Sequence, residues 1–332
     1  MKLRIVLPLI LLTTALLGGC GKREGSATSG KMTIAVVPKG TTHEFWKAIH
    51  AGAAKAGQEM NVEIIWKGPM REDDREQQIS VMEDFISRGV NGIVLAPLDD
   101  IALRGPVANA KAAGIPVVII DSDLKSEDYV SFAATDNYLG GKMGALELIR
   151  LLKGKGKVVM LRVMEGGAST TNRERGFLET IVTAPGITVV SSNQYGGPTV
   201  ESAYRMSENI LAPLMDKSGA LTIDGIFTPN ESTTFGMLRA LQDGGHAGKI
   251  TFVGFDASPK LVEALRAGQL NAFVVQNPMG MGYIGVKTVV SHLRGEKVER
   301  RIDTGVTLVT PENIDRPEMK DLIQPDLTRW LE

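Results

Sequence analysis

Five side chains in this sequence exchange hydrogen bonds readily with hydroxyl groups: Asp121, Arg173, Asn230, Asp256 and Gln276. A carboxylate accepts, a carboxamide both donates and accepts, and a guanidinium donates in a fork. Phe45 and Trp46 stand side by side and offer flat faces to apolar C–H groups. Lys39 and His43 lie just ahead of them. Most of these residues directly follow a short, β-branched, strand-like run. Pro38 to Trp46 follows Thr33–Val37, Asp121-Ser122-Asp123 follows Val117–Ile120, and Thr228-Pro229-Asn230 follows Gly225–Phe227. Gly254-Phe255-Asp256 follows the Thr251 run, Gln276-Asn277 follows Ala272–Val275, and the segment Gly166 to Arg175 follows the Lys157 run. In open parallel sheets, ligands bind beyond the carboxyl ends of the strands. The inventory fits a polyhydroxylated solute better than a lipid or a peptide.

Each residue has a second reading. Asp121, Asn230 and Asp256 each precede a helix, so N-capping stays open beside ligand binding. Phe45 and Trp46 also suit a core at a helix start. Arg173 can form a surface ion pair, and Lys39 and His43 can point into solvent. Catalysis has little support. Nothing in the sequence sets Asp121 and Asp256 apart as an acid and a base, and no G-x-S-x-G elbow is present. His43, His50, His246 and His292 are scattered without H-E-x-x-H spacing, so neither a metal nor a cofactor is expected. Gly280-Met281-Gly282-Tyr283-Ile284-Gly285 matches G-x-G-x-x-G, but Gln276-Asn277-Pro278 replaces the tight turn of a dinucleotide site. Close helix packing is the expected use of these glycines.

The elements that must place these side chains alternate. Strands are expected at Thr33–Val37, Val62–Trp66, Gly92–Ala96, Val117–Ile120 and Val130–Ala133, then at Lys157–Leu161, Thr188–Ser192, Gly225–Phe227, Thr251–Val253 and Ala272–Val275. Between them run helical stretches such as Asp73–Arg88, whose Ile79, Met82, Phe85 and Ile86 form one stripe. Later helices are expected at Leu139–Leu152, Asn172–Thr183 and Glu231–Gln242. Apolar strands alternating with helices predict an α/β fold of two doubly wound parallel-sheet lobes, meeting near Ala133–Asn137. The tail from Thr310, with Pro311, Pro317 and Pro325, is expected to be irregular and to lie over the surface.

The start reads as an export signal. Lys2 and Arg4 precede an apolar run from Ile5 to Leu17, shorter than the roughly 18 residues a membrane span needs. Leu17-Gly18-Gly19-Cys20 resembles the lipobox of bacterial lipoproteins, making residues 1–20 a signal peptide and Cys20 the lipidated residue. Residues 21–30 read as a flexible tether. Cys20 is the single cysteine, so no internal disulfide forms. With 37 basic against 38 acidic residues, no basic face for nucleic acid is implied. The expected location is the cell envelope: periplasmic, and bound to membrane through lipid alone.

Several segments in order resemble the periplasmic ribose-binding protein family: Ser131 to Lys142, Arg173-Glu174-Arg175-Gly176, Gly236 to Leu241 and Val253-Gly254-Phe255-Asp256. The likeness runs from Lys31 to about Val309. It implies a type I periplasmic binding fold with a hinge of three segments near Thr135, Asn277 and Asp303 to Thr307. The N-terminal lobe would hold 31–134 plus 277–305, and the C-terminal lobe 135–276 plus 306–332. It implies hinge closure around a sugar and delivery to the permease of an ABC transporter. The alternatives are signalling to a chemoreceptor or sensor kinase, or binding of another polar solute such as a polyol or autoinducer. Carried over by position, the ligand contacts are Phe45, Trp46, Asp121, Arg173, Asn230, Asp256 and Gln276. Lys39 and His43 stand where ribose binders have a small hydroxyl and a carboxamide, and Ser122 where they have arginine. The family's second-lobe aromatic finds its nearest counterpart in Tyr195. These departures imply a sugar-type ligand other than ribose. Transcription regulators that share the core carry a helix-turn-helix head, whose place here holds the leader and tether.

Overall fold

The computed structural model describes residues 30–331. The leader, Cys20 and all but the last residue of the tether lie outside the described residues. Two six-stranded sheets form two α/β lobes. The first contains β1 (Thr33–Val37), β2 (Glu63–Trp66), β3 (Gly92–Leu95), β4 (Val117–Ile120), β5 (Ser131–Ala134) and β11 (Arg301–Asp303), in the order β11-β5-β4-β3-β1-β2, all parallel. The second contains β6 (Lys155–Arg162), β7 (Gly186–Tyr195), β8 (Gly225–Phe227), β9 (Thr251–Phe255), β10 (Ala272–Val275) and β12 (Thr307–Val309), in the order β12-β10-β9-β8-β6-β7. Only β12 runs antiparallel, against β10.

Helices cover both faces of each sheet. They are α1 (Glu44–Met60), α2 (Arg75–Ser87), α3 (Arg104–Ala112), α4 (Asn137–Leu151), α5 (Ala168–Ile181), α6 (Val200–Leu211), α7 (Glu231–Asp243), α8 (Pro259–Arg266) and α9 (Pro278–Leu293). Central strands β3, β4 and β5 are buried at every residue, as apolar strands sandwiched between helices must be. Alternation sorts the first lobe's core. Ile34 and Val36 face α1 and α9, while Ala35 and Val37 face α2 and α3.

The chain crosses between the sheets after β5, between β10 and β11, and again from β11 to β12. One close helix pair braces each lobe. A Cβ on Gly282 of α9 would lie 2.0 Å from the Ile49 carbonyl oxygen of α1. A Cβ on Gly141 of α4 would lie 1.9 Å from the Arg173 carbonyl oxygen of α5. The glycine motif from Gly280 therefore lies within a packed helix, where it lets backbones touch.

The structure corrects the sequence reading in three places. The tail is not irregular: α10 (Pro317–Ile323) and α11 (Thr328–Leu331) form there. Pro317 opens α10, where its missing N–H costs nothing. Met319, Leu322 and Ile323 seat α10 on the second lobe's core, while α11 returns to α1 of the first, with Lys55 5.8 Å from the Trp330 ring centre. Short strands β11 and β12, which the sequence reading did not anticipate, flank the crossing segment expected at Asp303 to Thr307. Finally, α5 begins at Ala168, four residues before the helix start expected at Asn172.

Candidate functional site

The strand ends of both sheets deliver their side chains to one enclosed spot. Lys39 and His43 come from the loop after β1, Phe45 and Trp46 from the first turn of α1, and Asp121 from the end of β4. Arg173 comes from α5, and Asn230, Asp256 and Gln276 follow β8, β9 and β10. All nine line the same cavity, and all are buried. Glu72, Ser169, Thr170 and Glu231 complete the lining. About 30 Å³ stays open between these side chains, room for a water or so. A sugar ring therefore enters only when the lobes or the side chains move apart. A larger cavity of about 210 Å³ shares Phe45, Asp256 and Gln276 with it, and Leu322, Ile323, Gln324, Pro325 and Leu327 wall its other side.

Asp121 and Asp256 occupy equivalent places in the two lobes, and both hold left-handed backbone, with φ of 62° and 66°. Aspartate tolerates this conformation better than most residues, but it remains costly and gathers at functional sites. The capping alternatives now separate. Asn230 does cap α7, its Oδ1 accepting from Thr233 N at 3.0 Å. Neither Asp121 nor Asp256 caps the helix that follows it in the chain: Asp136 caps α4 and Ser258 caps α8. Phe45 and Trp46 serve the core and the cavity together, meeting edge to face with ring centres 5.0 Å apart.

Every cation lining the cavity is matched. Lys39 Nζ lies 2.6 Å from Asp121 Oδ2 and donates to Ser169 Oγ of the opposite lobe at 2.9 Å. His43 Nδ1 lies 3.0 Å from Glu72 Oε1, which also accepts the Trp46 indole N–H at 2.6 Å. Arg173 donates to Asn137 Oδ1 at 2.8 Å and Pro229 O at 3.0 Å, covers the Phe255 ring at 4.1 Å, and lies 3.8 Å from Asp256 Oδ2. Asp256 accepts further from Gln276 Nε2 at 2.8 Å and Glu231 N at 3.1 Å.

These pairings decide the protonation states. Burial works against a charged His43, yet the charge and hydrogen bond of Glu72, helped by Glu231 and Asp256, push it up to about 9. Burial works against a charged Glu72 too, but His43, then Lys39 and Trp46, hold it down at about 2. For Asp256 burial wins over Arg173 and Gln276, and its carboxyl lies above the usual range. Burial also pushes Glu231 up to about 7, against the opposing charge of His43. Two buried oxygens of cavity-lining side chains receive no hydrogen bond: Gln276 Oε1, and Asp121 Oδ2, which meets Lys39 only as an ion pair.

Tyr195 is not brought to the cavity. Its ring lies 4.8 Å from the Arg162 guanidinium and its hydroxyl meets Glu165, so it is not the second-lobe aromatic the sequence pointed to. Ser122 accepts from Ser169 N at 3.1 Å across the lobes but does not line the cavity. Glu72, Ser169, Thr170 and Glu231 were missed by the sequence reading. Glu72 follows β2 and Glu231 adjoins Asn230, so the strand-end rule, applied to every strand, reaches both. Among the described residues, no His, Cys, Asp and Glu cluster suits a metal, and no helix is long and apolar enough to cross a membrane.

Comparison with known proteins places this geometry. A family model described as the periplasmic binding protein domain matches residues 34–297. The ribose import binding protein of Haemophilus influenzae is 28% identical over 302 residues, covering 91% of this chain and 99% of its own. A carbohydrate transporter solute binding protein from Agrobacterium radiobacter, solved with D-arabinose, has a TM-score of 0.84 at 32% identity, spanning 89% of this chain and 100% of that one. An ABC transporter solute binding protein from Agrobacterium vitis with bound D-fucose has a TM-score of 0.82 at 37% identity, spanning 88% and 99%. The two lobes are those of the type I periplasmic binding fold.

Proposed function

The chain belongs to the periplasmic binding protein domain family, and from that premise we propose that it is the solute-binding lipoprotein of an ABC importer, closing its lobes on an uncharged monosaccharide. One observation carries the reading: hydrogen-bonding side chains from both lobes converge on a single buried cavity, with Gln276 Oε1 still lacking a donor. A sugar hydroxyl supplies that donor. A buried acceptor left unsatisfied costs about 1–3 kcal/mol, so satisfying it rewards binding. Asp121, Asp256, Asn230, Arg173 and Gln276 take the hydroxyls, while Phe45 and Trp46 cover the apolar ring face. The pairing of Lys39 with Asp121 and of His43 with Glu72 supports a neutral ligand, because neither cation is left free for a carboxylate or phosphate. The relatives solved with D-arabinose and D-fucose support a pentose or a 6-deoxyhexose.

In this reading residues 31–134 with 277–305 form one lobe and 135–276 with 306–332 the other, although α11 lies against the first. The lobes hinge about Thr135, Asn277 and Asp303 to Thr307. The closed form is offered to a permease, and lipidated Cys20 holds the protein at the membrane on its periplasmic side. A thermal-shift screen over pentoses, hexoses, 6-deoxyhexoses, polyols and galacturonate tests the proposal. The cognate sugar at 100 times Kd adds about 2.7 kcal/mol of stability. A shift with galacturonate or an amino acid, and none with any neutral sugar, overturns it.

A further inference from the structure

Helix α1 begins without a cap of its own. His43 occupies the N-cap position but makes no side-chain capping bond, because its ring is turned to Glu72. The first amides of a helix lack intrahelical partners and need an acceptor. Here the acceptor comes from the other lobe. Glu231, the first residue of α7, takes Phe45 N at 3.1 Å and Glu44 N at 3.3 Å. Its own amide donates to Asp256. Among the described residues Glu231 forms no ion pair; the residue is 8% exposed, and its burial outweighs the pull of the α1 helix end and of His43 on its charge. The other charged groups around the cavity are engaged elsewhere: His43 with Glu72, Arg173 with Asp256, and Glu44 with Lys47.

We propose that Glu231 is the closure latch of the binding cleft, a helix cap supplied in trans that forms only when the lobes meet and that ties α1, with Phe45 and Trp46, to the ligand residue Asp256. This deepens the sugar-binding reading and rests on it. Opening the lobes removes the cap from α1 and returns the Glu231 carboxylate to water. The latch therefore lowers the rate at which a bound sugar escapes and leaves its arrival unchanged. It also makes closure sensitive to pH. Glu231 rises on burial to about 7 from an ordinary 4.5, so the closed form holds the extra proton between those values. Closure is strongest below that window and weakens as pH rises through 7.

The test is stopped-flow binding to the full chain of D-ribose, D-allose, D-arabinose and D-fucose, at pH 5.5 and 8, read by tryptophan fluorescence. Glu231→Ala is expected to speed dissociation about three- to thirtyfold, the range that loss of a helix cap produces, with association unchanged. Glu231→Gln, nearly isosteric and uncharged, is expected to remove most of the rise in dissociation rate that the wild type shows from pH 5.5 to 8. Wild-type dissociation from the alanine variant, or a wild-type pH profile in the glutamine variant, overturns the latch. If the wild type binds none of the four sugars, the ligand reading fails on its own. The latch is then decided by small-angle scattering of sugar-free protein at pH 5.5. Glu231→Ala must enlarge the radius of gyration, and coincident curves overturn the proposal.

Discussion

Arg173→Ala should destabilise the protein by about 3–5 kcal/mol at pH 8, the cost of removing one partner from a buried ion pair. The structure supplies the reason. Arg173 is 2% exposed, lies 3.8 Å from the Asp256 carboxylate, and donates to Asn137 and to the Pro229 carbonyl. Without it, Asp256 remains buried with only Gln276 Nε2 and the Glu231 amide to hold its charge. Its carboxyl, already raised by burial, rises further. A carboxyl with a raised folded pKa penalises the folded state above that pKa and is harmless once protonated in both states. The loss should therefore shrink toward pH 4, to the roughly 1–3 kcal/mol of the stranded acceptors. Urea unfolding at pH 4 and pH 8 reads both values. Asp256→Asn added to Arg173→Ala should recover at least 1 kcal/mol at pH 8, since it deletes the stranded charge. A loss below 1 kcal/mol, equal losses at both pH values, or no recovery in the double variant would refute the argument.

Other expectations follow from the same geometry. The His43–Glu72 pair contributes stability most fully between pH 4.5 and 6.5, and loses it as pH rises through about 9 or falls through about 2. His43→Asn should accordingly flatten the alkaline limb of a Tm-against-pH profile between 6.5 and 9, and an unchanged limb removes the pair from the account. Gly141→Ala drives a methyl to 1.9 Å from the Arg173 carbonyl oxygen; it should cost about 1–3 kcal/mol in denaturant unfolding and also weaken sugar binding by moving Arg173. Cys20→Ser should shift the protein from the membrane fraction to the soluble envelope extract, and retention in the membrane fraction argues against lipidation.

What the sequence could and could not disclose divides along physical lines. Strands such as Val117–Ile120 are runs of four buried β-branched residues, and local composition alone marks them. Strand β11 reads Arg-Ile-Asp and is largely exposed; it exists because β5 offers it an edge, a partner 170 or so residues away in sequence that no local window contains. Helix α10 was hidden by its proline, which starts a helix as readily as it breaks one. In the site, residues at strand ends were legible because parallel topology fixes where those ends point. Ser169 and Thr170 were not, since α5 begins four residues earlier than its apolar pattern suggested. Neither the pairing of His43 with Glu72 nor the reach of Glu231 to α1 could be read from sequence, because each joins loops brought together only by folding.

The returning tail has a practical meaning. With α10 seated in the core of one lobe and α11 resting on α1 of the other, residues 324–327 run from lobe to lobe like a harness. A rigid rotation of the lobes must slacken that harness or pull α11 from its seat beside Lys55. A fluorophore near Trp330 would thus report lobe motion without touching the sugar pocket, which makes this end a natural attachment point for a sugar biosensor. A bulky fusion at the same end would load that harness and bias the proposed closure it was meant to leave alone.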